Sequence, residues 1–435
     1  MEKTTEYLKR GDWRQALVRL WTLADRATLS QWETLFSARQ LANQVAAFQT
    51  RLLEETPRIK PDDIAANPLA LIQALDYVVA TQFADMPFSA VPYAEDGKKF
   101  WLLPTPPTQV ERARRSQQSG SLRHFSRHHV VVPCGVGDID IMVTVATGQL
   151  HSSLARMAQQ NVSALRCWVA HFDDDCEIKW QQHGAAKRLL ASAIAPTETR
   201  TQSALAMLAS ANGTSASVVV APELTLDLAH RDAMGRWIWN QPTAHRPLLV
   251  LSGSWHEFHN GEVFNCAPLM DGTRWEPLFS HRKLTAYGTY GDGGTEDLIE
   301  AIHVGAALHV LVTPIGTFTV LVCKDFIDVD AQLRSLLQVV PVNWVLVPSY
   351  GEEKTTRAHR QRAREVSKVE VGCHVVVATI RNLPLTTGVP LPGFVHLGGA
   401  DQPIEVPVGG GPVDLPIEPR NLASPKLHLV EDSLK

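Results

Sequence analysis

Apolar residues recur at spacings of three and four through the first 85 positions, as in WRQALVRLWTLADRA (13–27) and SARQLANQVAAFQTRLLEE (37–55). That period follows the turn of an α-helix and predicts amphipathic helices over 1–85. No glycine lies between Gly11 and Gly97. Turn chemistry then takes over, with Pro87, Pro92, Gly97, PTPP at 104–107 and the polar stretch ERARRSQQSGS at 111–121. This composition predicts a linker.

From about residue 128 the pattern shortens to period two and to unbroken Val-rich runs. HVVVPCG and IDIMVTVAT predict two strands around a GVGD turn. LRCWVAHF (165–172) predicts a third strand, and helical stretches are expected at 181–194 and 198–211. Further buried strands are expected in SVVVAPEL, PLLVLSGS, HVLVTPIGTFTVLVCKD, VNWVLVPSY and CHVVVATIR, with a polar strand pair around 255–276. Helices at 330–339 and 354–370 fall between them. Such alternation predicts an α/β layer fold with some antiparallel pairing. The expected organisation is a helical N-terminal region with linker (1–125), an α/β domain (126–405) and a Pro/Gly-rich tail (406–435).

Composition narrows the function classes. The 435 residues are 45% hydrophobic and 20% charged, with 41 basic and 45 acidic residues and a net charge of −4. That balance does not point to nucleic acid. The basic runs Arg112, Arg114, Arg115, Arg123, Arg127 and Lys354, Arg357, Arg360, Arg362, Arg364 lack interleaved aromatics. The second reads as the solvated face of an amphipathic helix. Six cysteines without a CxxC pair read as reduced thiols of a cytoplasmic protein. The start MEKTTEYLKRGDW lacks the apolar core of a signal peptide and no run of about 20 apolar residues occurs, so neither export nor membrane association is expected. The 17 histidines contain no HExxH or Cys/His spacing. His128 and His129 are adjacent, and His256 and His259 fall in a polar turn, so no metal is expected. GVGD (135–138) and GDGGT (291–295) read as turns.

Three strand ends carry chemistry. Glu223 follows a Val run, Cys323 follows TVLV, and Lys283 follows a short strand. Functional groups of open α/β sheets gather at the carboxyl ends of strands. A thiol needs a base, which a carboxylate supplies before returning the proton to a leaving amine. A lysine ammonium and a backbone N–H, here that of Lys324, can hold an oxyanion.

The order Glu, Lys, Cys within APEL, HRKL and LVCKDF resembles the nitrilase superfamily of carbon–nitrogen hydrolases. LLVLSGSW, FNCAPLMDGTRW, VLVPSY, HRQRAREVSKVEVGCHVVVATIRN and GFVHLGG resemble its supporting segments in the same order, over roughly 165–405. The resemblance implies a four-layer αββα sandwich, homodimers or larger homo-oligomers, and hydrolysis of a small amide, carbamoyl-amide or nitrile through a cysteine thioester or thioimidate. Amidase chemistry is favoured, and it requires no cofactor or metal. It also implies a second glutamate between lysine and cysteine, Glu296 or Glu300, with Glu300 preferred, and a structural role for Asp325. Lys324 departs from the family pattern, where small or aromatic residues are commoner. Its side chain either lies near the substrate or points into solvent. Residues 1–160 have no counterpart in the minimal family domain. The alternative reading is a nitrilase-like assembly or regulatory module in a multi-component, bacterial-defence-like system, with the N-terminal helices offering a protein partner surface. Amidotransfer would need a channel and a second site, and the sequence shows neither.

Overall fold

The computed structural model describes residues 1–24, 38–54, 59–82, 91–104, 128–160, 162–172, 176–183, 188–288, 299–327, 336–340, 342–351, 353–367, 373–380, 393–407 and 409–417. They form two compact units, Met1–Cys134 and Gly135–Ile417.

The first unit follows its period-3.6 pattern. Helices Glu2–Lys9, Trp13–Ala24, Ala38–Leu52, Pro61–Ala66 and Pro68–Gln82 bury Leu8, Leu17, Leu20, Leu71, Ile72, Leu75 and Val78. Pro61 and Pro68 each open a helix, where a missing N–H costs nothing. Asp63 accepts the Lys60 N–H at 3.0 Å and so caps the first turn of its helix. A three-stranded antiparallel sheet completes the unit: Tyr93–Glu95, Lys98–Pro104 and His129–Pro133. His129–Pro133 therefore pairs with Lys98–Pro104, and not with Ile139–Val145 as the sequence pattern suggested. Its buried run Val130–Val132 matches the buried run Trp101–Leu103, whereas Ile139–Val145 alternates in burial and belongs to the second unit. Among the described residues no helix is long and apolar enough to cross a membrane.

The second unit is mixed α/β. One sheet runs in the order Trp255–His259, Glu262–Asp271, Leu249–Leu251, Val218–Val220, Ala164–Val169, Gly411–Pro416, with Glu276–Arg282 paired to Glu262–Asp271. The other runs Ile404–Glu405, Phe394–His396, His374–Ala378, Trp344–Pro348, Gly316–Val320, Ala307–Thr313, Ile139–Val145, Gly135–Val136. The two sheets pack face to face. Val218, Val220, Leu249 and Leu251 of the first share one core with Leu311, Phe318, Val320, Trp344 and Val376 of the second. Side chains alternate across a strand, so Val219 and Val250 point the other way. There they meet Ala204, Leu208, Met234 and Ile238 of helices Thr197–Gly213 and Leu228–Trp239. Both faces of these central strands are covered, which accounts for the unbroken Val runs.

Two sequence expectations change here. The described residues of 181–194 are not helical. Glu177–Gln182 and Arg188–Ala195 form an antiparallel pair, which Ile299–Glu300 joins in parallel. Ala and Leu favour helix in isolation, but tertiary pairing overrides so weak a preference. Part of the expected tail is also a strand, since Gly411–Pro416 zips antiparallel to Ala164–Val169. The expected helix 330–339 is described only over 336–340.

Candidate active site

Each of the three strand-end residues is fixed by its local backbone. Glu223 lies beyond Val218–Val220 in a parallel bridge to Ser254, and the Leu224 N–H donates to the Ser254 carbonyl at 2.9 Å. Gly253 closes this contact at φ 72°. A Cβ there would lie 2.1 Å from the Pro222 carbonyl oxygen, so a side chain cannot be accommodated. Lys283 ends Glu276–Arg282, its N–H donating to the Asn265 carbonyl at 2.9 Å.

Cys323 sits between strand Gly316–Val320 and the short helix Lys324–Ile327 at φ 44°. A left-handed non-glycine residue is strained, and a strand–turn–helix elbow of this kind pushes a side chain forward. Asp325 locks the elbow. Its Oδ1 accepts the Leu284 and Thr285 N–H groups at 2.9 and 2.8 Å. Its Oδ2 accepts the Val322 N–H and faces His281 Nε2, each at 3.2 Å. One carboxylate thereby ties the lysine segment to the cysteine segment.

The side chains converge. Lys283 Nζ donates to Glu223 Oε1 and to Glu300 Oε2, both at 2.8 Å. Asn265 Nδ2 bridges the same two carboxylates, at 3.0 Å to Glu223 and 2.8 Å to Glu300. The remaining Glu223 oxygen accepts the Tyr350 N–H at 3.0 Å. Cys323 Sγ lies 3.5 Å from Ser349 Oγ, which donates to it. The thiol and the Glu223 carboxylate are close enough to alter each other's ionisation. Glu223, Lys283 and Cys323 are only 2–3% exposed.

Glu300 is held by more than the lysine. The Tyr287 N–H donates to its Oε2 at 2.9 Å, and His256 Nε2 lies 2.9 Å from its Oε1. The Ala191 N–H donates to His256 Nδ1 at 2.8 Å. Nδ1 is thus the acceptor, and Nε2 carries the proton toward Glu300.

These surroundings drive the two carboxyls apart. Burial raises the Glu223 pKa, and the negative charge of Glu300 adds to it against the pull of Lys283. Burial would raise Glu300 too, but Lys283 and His256 outweigh it and hold its pKa low. Lys283 is pushed well above its ordinary value, because the two carboxylates outweigh burial. Burial and the charge of Glu223 raise the Cys323 thiol. The two buried carboxyls are thus shifted in opposite directions, Glu223 up and Glu300 down, about one shared ammonium. Separation of this sort distinguishes an acid–base group from its electrostatic neighbour.

The chain is structurally similar to an amidase of the nitrilase superfamily. An amidase from Nesterenkonia sp. matches at 17% identity and a TM-score of 0.41, over 61% of this chain and 94% of that one. A mutant of the Nesterenkonia AN1 amidase from the nitrilase superfamily matches at 17% identity and 0.41, over 59% and 91%. Another mutant of it, showing Michael addition of acrylamide at the active-site cysteine, matches at 17% and 0.39, over 59% and 95%. No protein-family model and no curated protein matches the chain.

All four residues expected at the site, Glu223, Lys283, Cys323 and Glu300, come together. Glu300 lies on the strand Ile299–Glu300. Glu296 and the GDGGT turn lie outside the described residues, as do Arg112, Arg114, Arg115, Arg123 and Arg127. Lys324 Nζ donates to the Ala286 carbonyl at 3.1 Å. In the sequence, FNCAPLMDGTRW counts among the supporting segments and His256 is weighed only as a metal ligand, but Asn265, His256, Tyr350 and His359 are given no role at the site. His359 Nε2 lies 3.1 Å from the Cys323 carbonyl oxygen. A polar Asn265 within the apolar run VFNCAPLM was the one available signal. His256 lies on the strand Trp255–His259 and not in a polar turn.

On the other side of strand Glu262–Asp271, Cys266 lies with Glu257 and His259 in the one group of possible metal-ligating atoms among the described residues, all within 4.8 Å. The Arg231 guanidinium donates to Glu257 at 2.6 Å and to the Cys266 carbonyl at 3.2 Å. A cation already holds that carboxylate.

Proposed function

We propose that this chain is a carbon–nitrogen hydrolase of the nitrilase type acting on a small amide, with Cys323 as nucleophile. The observation that carries the reading is the Lys283 ammonium, which bridges Glu223 and Glu300 at 2.8 Å each beside the Cys323 thiol.

In this reading Glu223 takes the thiol proton as Sγ attacks the carbonyl carbon. The Lys283 ammonium and the Lys324 backbone N–H hold the oxyanion. Glu223 then returns the proton to nitrogen, the C–N bond breaks, and ammonia or an amine leaves. The thioester accepts a water that Glu223 deprotonates, which releases the acid and restores the thiol. A nitrile would pass through the thioimidate instead. Glu300 is a positioning residue, since it acts through Lys283. The fold reading is a four-layer αββα sandwich for the second unit, Gly135–Ile417, in a cytoplasmic homodimer or larger homo-oligomer.

Release of ammonia from a panel of short aliphatic amides and nitriles tests the reading. Cys323→Ala is expected to lower the rate by ~10⁴-fold, as loss of a triad member does. Equal ammonia release by wild type and Cys323→Ala on every compound would sink it. A second reading, an assembly module partnered through the N-terminal helices of 1–125, is favoured by the near-complete burial of the three groups. It predicts that outcome, together with stable capture of a protein partner.

A further inference from the structure

A second concave site lies on the helix Glu353–Val366. Arg357, Arg360 and Arg364 fall at helical spacing on one face of it. With His396, Gln402 and Glu405 they line a cavity of about 460 Å³. Two of the arginines are already engaged. Arg360 makes a two-pronged pair with Glu405, 2.6 Å on each arm, and Arg357 pairs with Glu353. Arg364 makes no hydrogen bond or ion pair among the described residues.

The buried imidazole is the second observation. His396 is 1% exposed. Its Nδ1 lies 3.2 Å from the Leu397 carbonyl oxygen, which can only accept, so Nδ1 carries the proton. Its Nε2 is buried without a hydrogen-bond partner among the described residues. Burial lowers the pKa of the ring, and nearby Arg364 lowers it further against the effect of Asp401. With its proton on Nδ1, the neutral form of the ring offers a lone pair at Nε2. A buried acceptor left unmade is costly, so a ligand that donates to it gains on binding.

We propose that this cavity binds a phosphate compound that carries an O–H, with Arg364 and the outer edges of Arg357 and Arg360 on the phosphate oxygens and His396 Nε2 accepting from the hydroxyl. Guanidinium groups match phosphate oxygens two at a time. Hydrogen phosphate supplies both kinds of atom at neutral pH, whereas sulfate supplies acceptors only. The cavity exceeds the size of free phosphate and suits a small-molecule ligand, so a hydroxylated phosphomonoester is the other source of the same chemistry.

Calorimetric titration of the full chain with inorganic phosphate, a hexose monophosphate and sulfate distinguishes these. Saturable binding of one phosphate compound is expected, at least about fivefold tighter than sulfate, a difference of ~1 kcal/mol. The tighter of the two phosphate compounds identifies the source. Arg364→Gln, an exposed change that leaves the fold intact by circular dichroism, weakens it about tenfold. His396→Asn narrows the preference over sulfate. The proposal is overturned if neither phosphate compound saturates, if sulfate binds as tightly, or if Arg364→Gln binds like wild type.

Discussion

Asn265 shows how much of the site depends on one neutral side chain. Its amide donates to a carboxylate oxygen on each of Glu223 and Glu300, which would otherwise face each other with only Lys283 between them. Asn265→Ala leaves both oxygens short of a donor in a buried setting. Unfolding by urea is expected to show a loss of about 1–3 kcal/mol, with kcat falling more than KM rises because Glu223 loses its orientation. Unchanged stability and kcat would contradict this role. Residue type made Glu223, Lys283 and Cys323 legible in the sequence, because their chemistry is explicit and each follows a recognisable strand. Asn265, His256 and His359 were not legible. Their roles arise only when separate strands and a helix converge, and no local period records that.

At the scale of elements, two backbone devices aim the groups: the left-handed Cys323 elbow and the Gly253 contact under Glu223. Gly253→Ala forces a Cβ into the Pro222 carbonyl, which is backbone and cannot swing away. A loss of ~3 kcal/mol is expected, at the upper end for single substitutions, and chemical denaturation would read it. A shift below about 0.5 kcal/mol, typical of an open surface position, would show that the contact is not tight. The strands themselves were readable from their Val runs. Their partners were not. Val130–Val132 could pair with any buried run of like length, and a run's hydrophobicity does not name its neighbour. Helix was expected over 181–194 for a related reason. A short Ala- and Leu-containing stretch is ambiguous until pairing with Glu177–Gln182 and Ile299–Glu300 decides it.

For the whole molecule, two histidines that folding makes harder to protonate, the buried His359 and the half-buried His309, weigh on acid stability. His359 and His309 are each lowered to about 4, chiefly by burial. In the unfolded chain both titrate near 6.5. Between those values the unfolded state binds more protons than the folded one, so stability falls as pH drops through that window. Each such group contributes ~1 kcal/mol per pH unit. The thermal midpoint should therefore decline from pH 6.5 to pH 4, and His309→Gln should flatten part of the slope. A midpoint that is flat or rises on acidification would contradict the lowered pKa of these rings. The layered fold is legible in the sequence as alternating strands and helices. Its facing sheets are not, because Val218, Phe318 and Trp344 meet only in three dimensions.

The central claim is that Glu223 serves Cys323 as its base. Brief alkylation with iodoacetamide near neutral pH, followed by peptide mapping, tests it most directly in wild type and Glu223→Gln. The account predicts that Cys323 is modified faster than Cys134, Cys167, Cys176, Cys266 and Cys373, and that Glu223→Gln slows it about tenfold or more, within the range of general-base assistance. Modification of Cys323 no faster than that of the partly exposed Cys176, or at the same rate in Glu223→Gln, would contradict it.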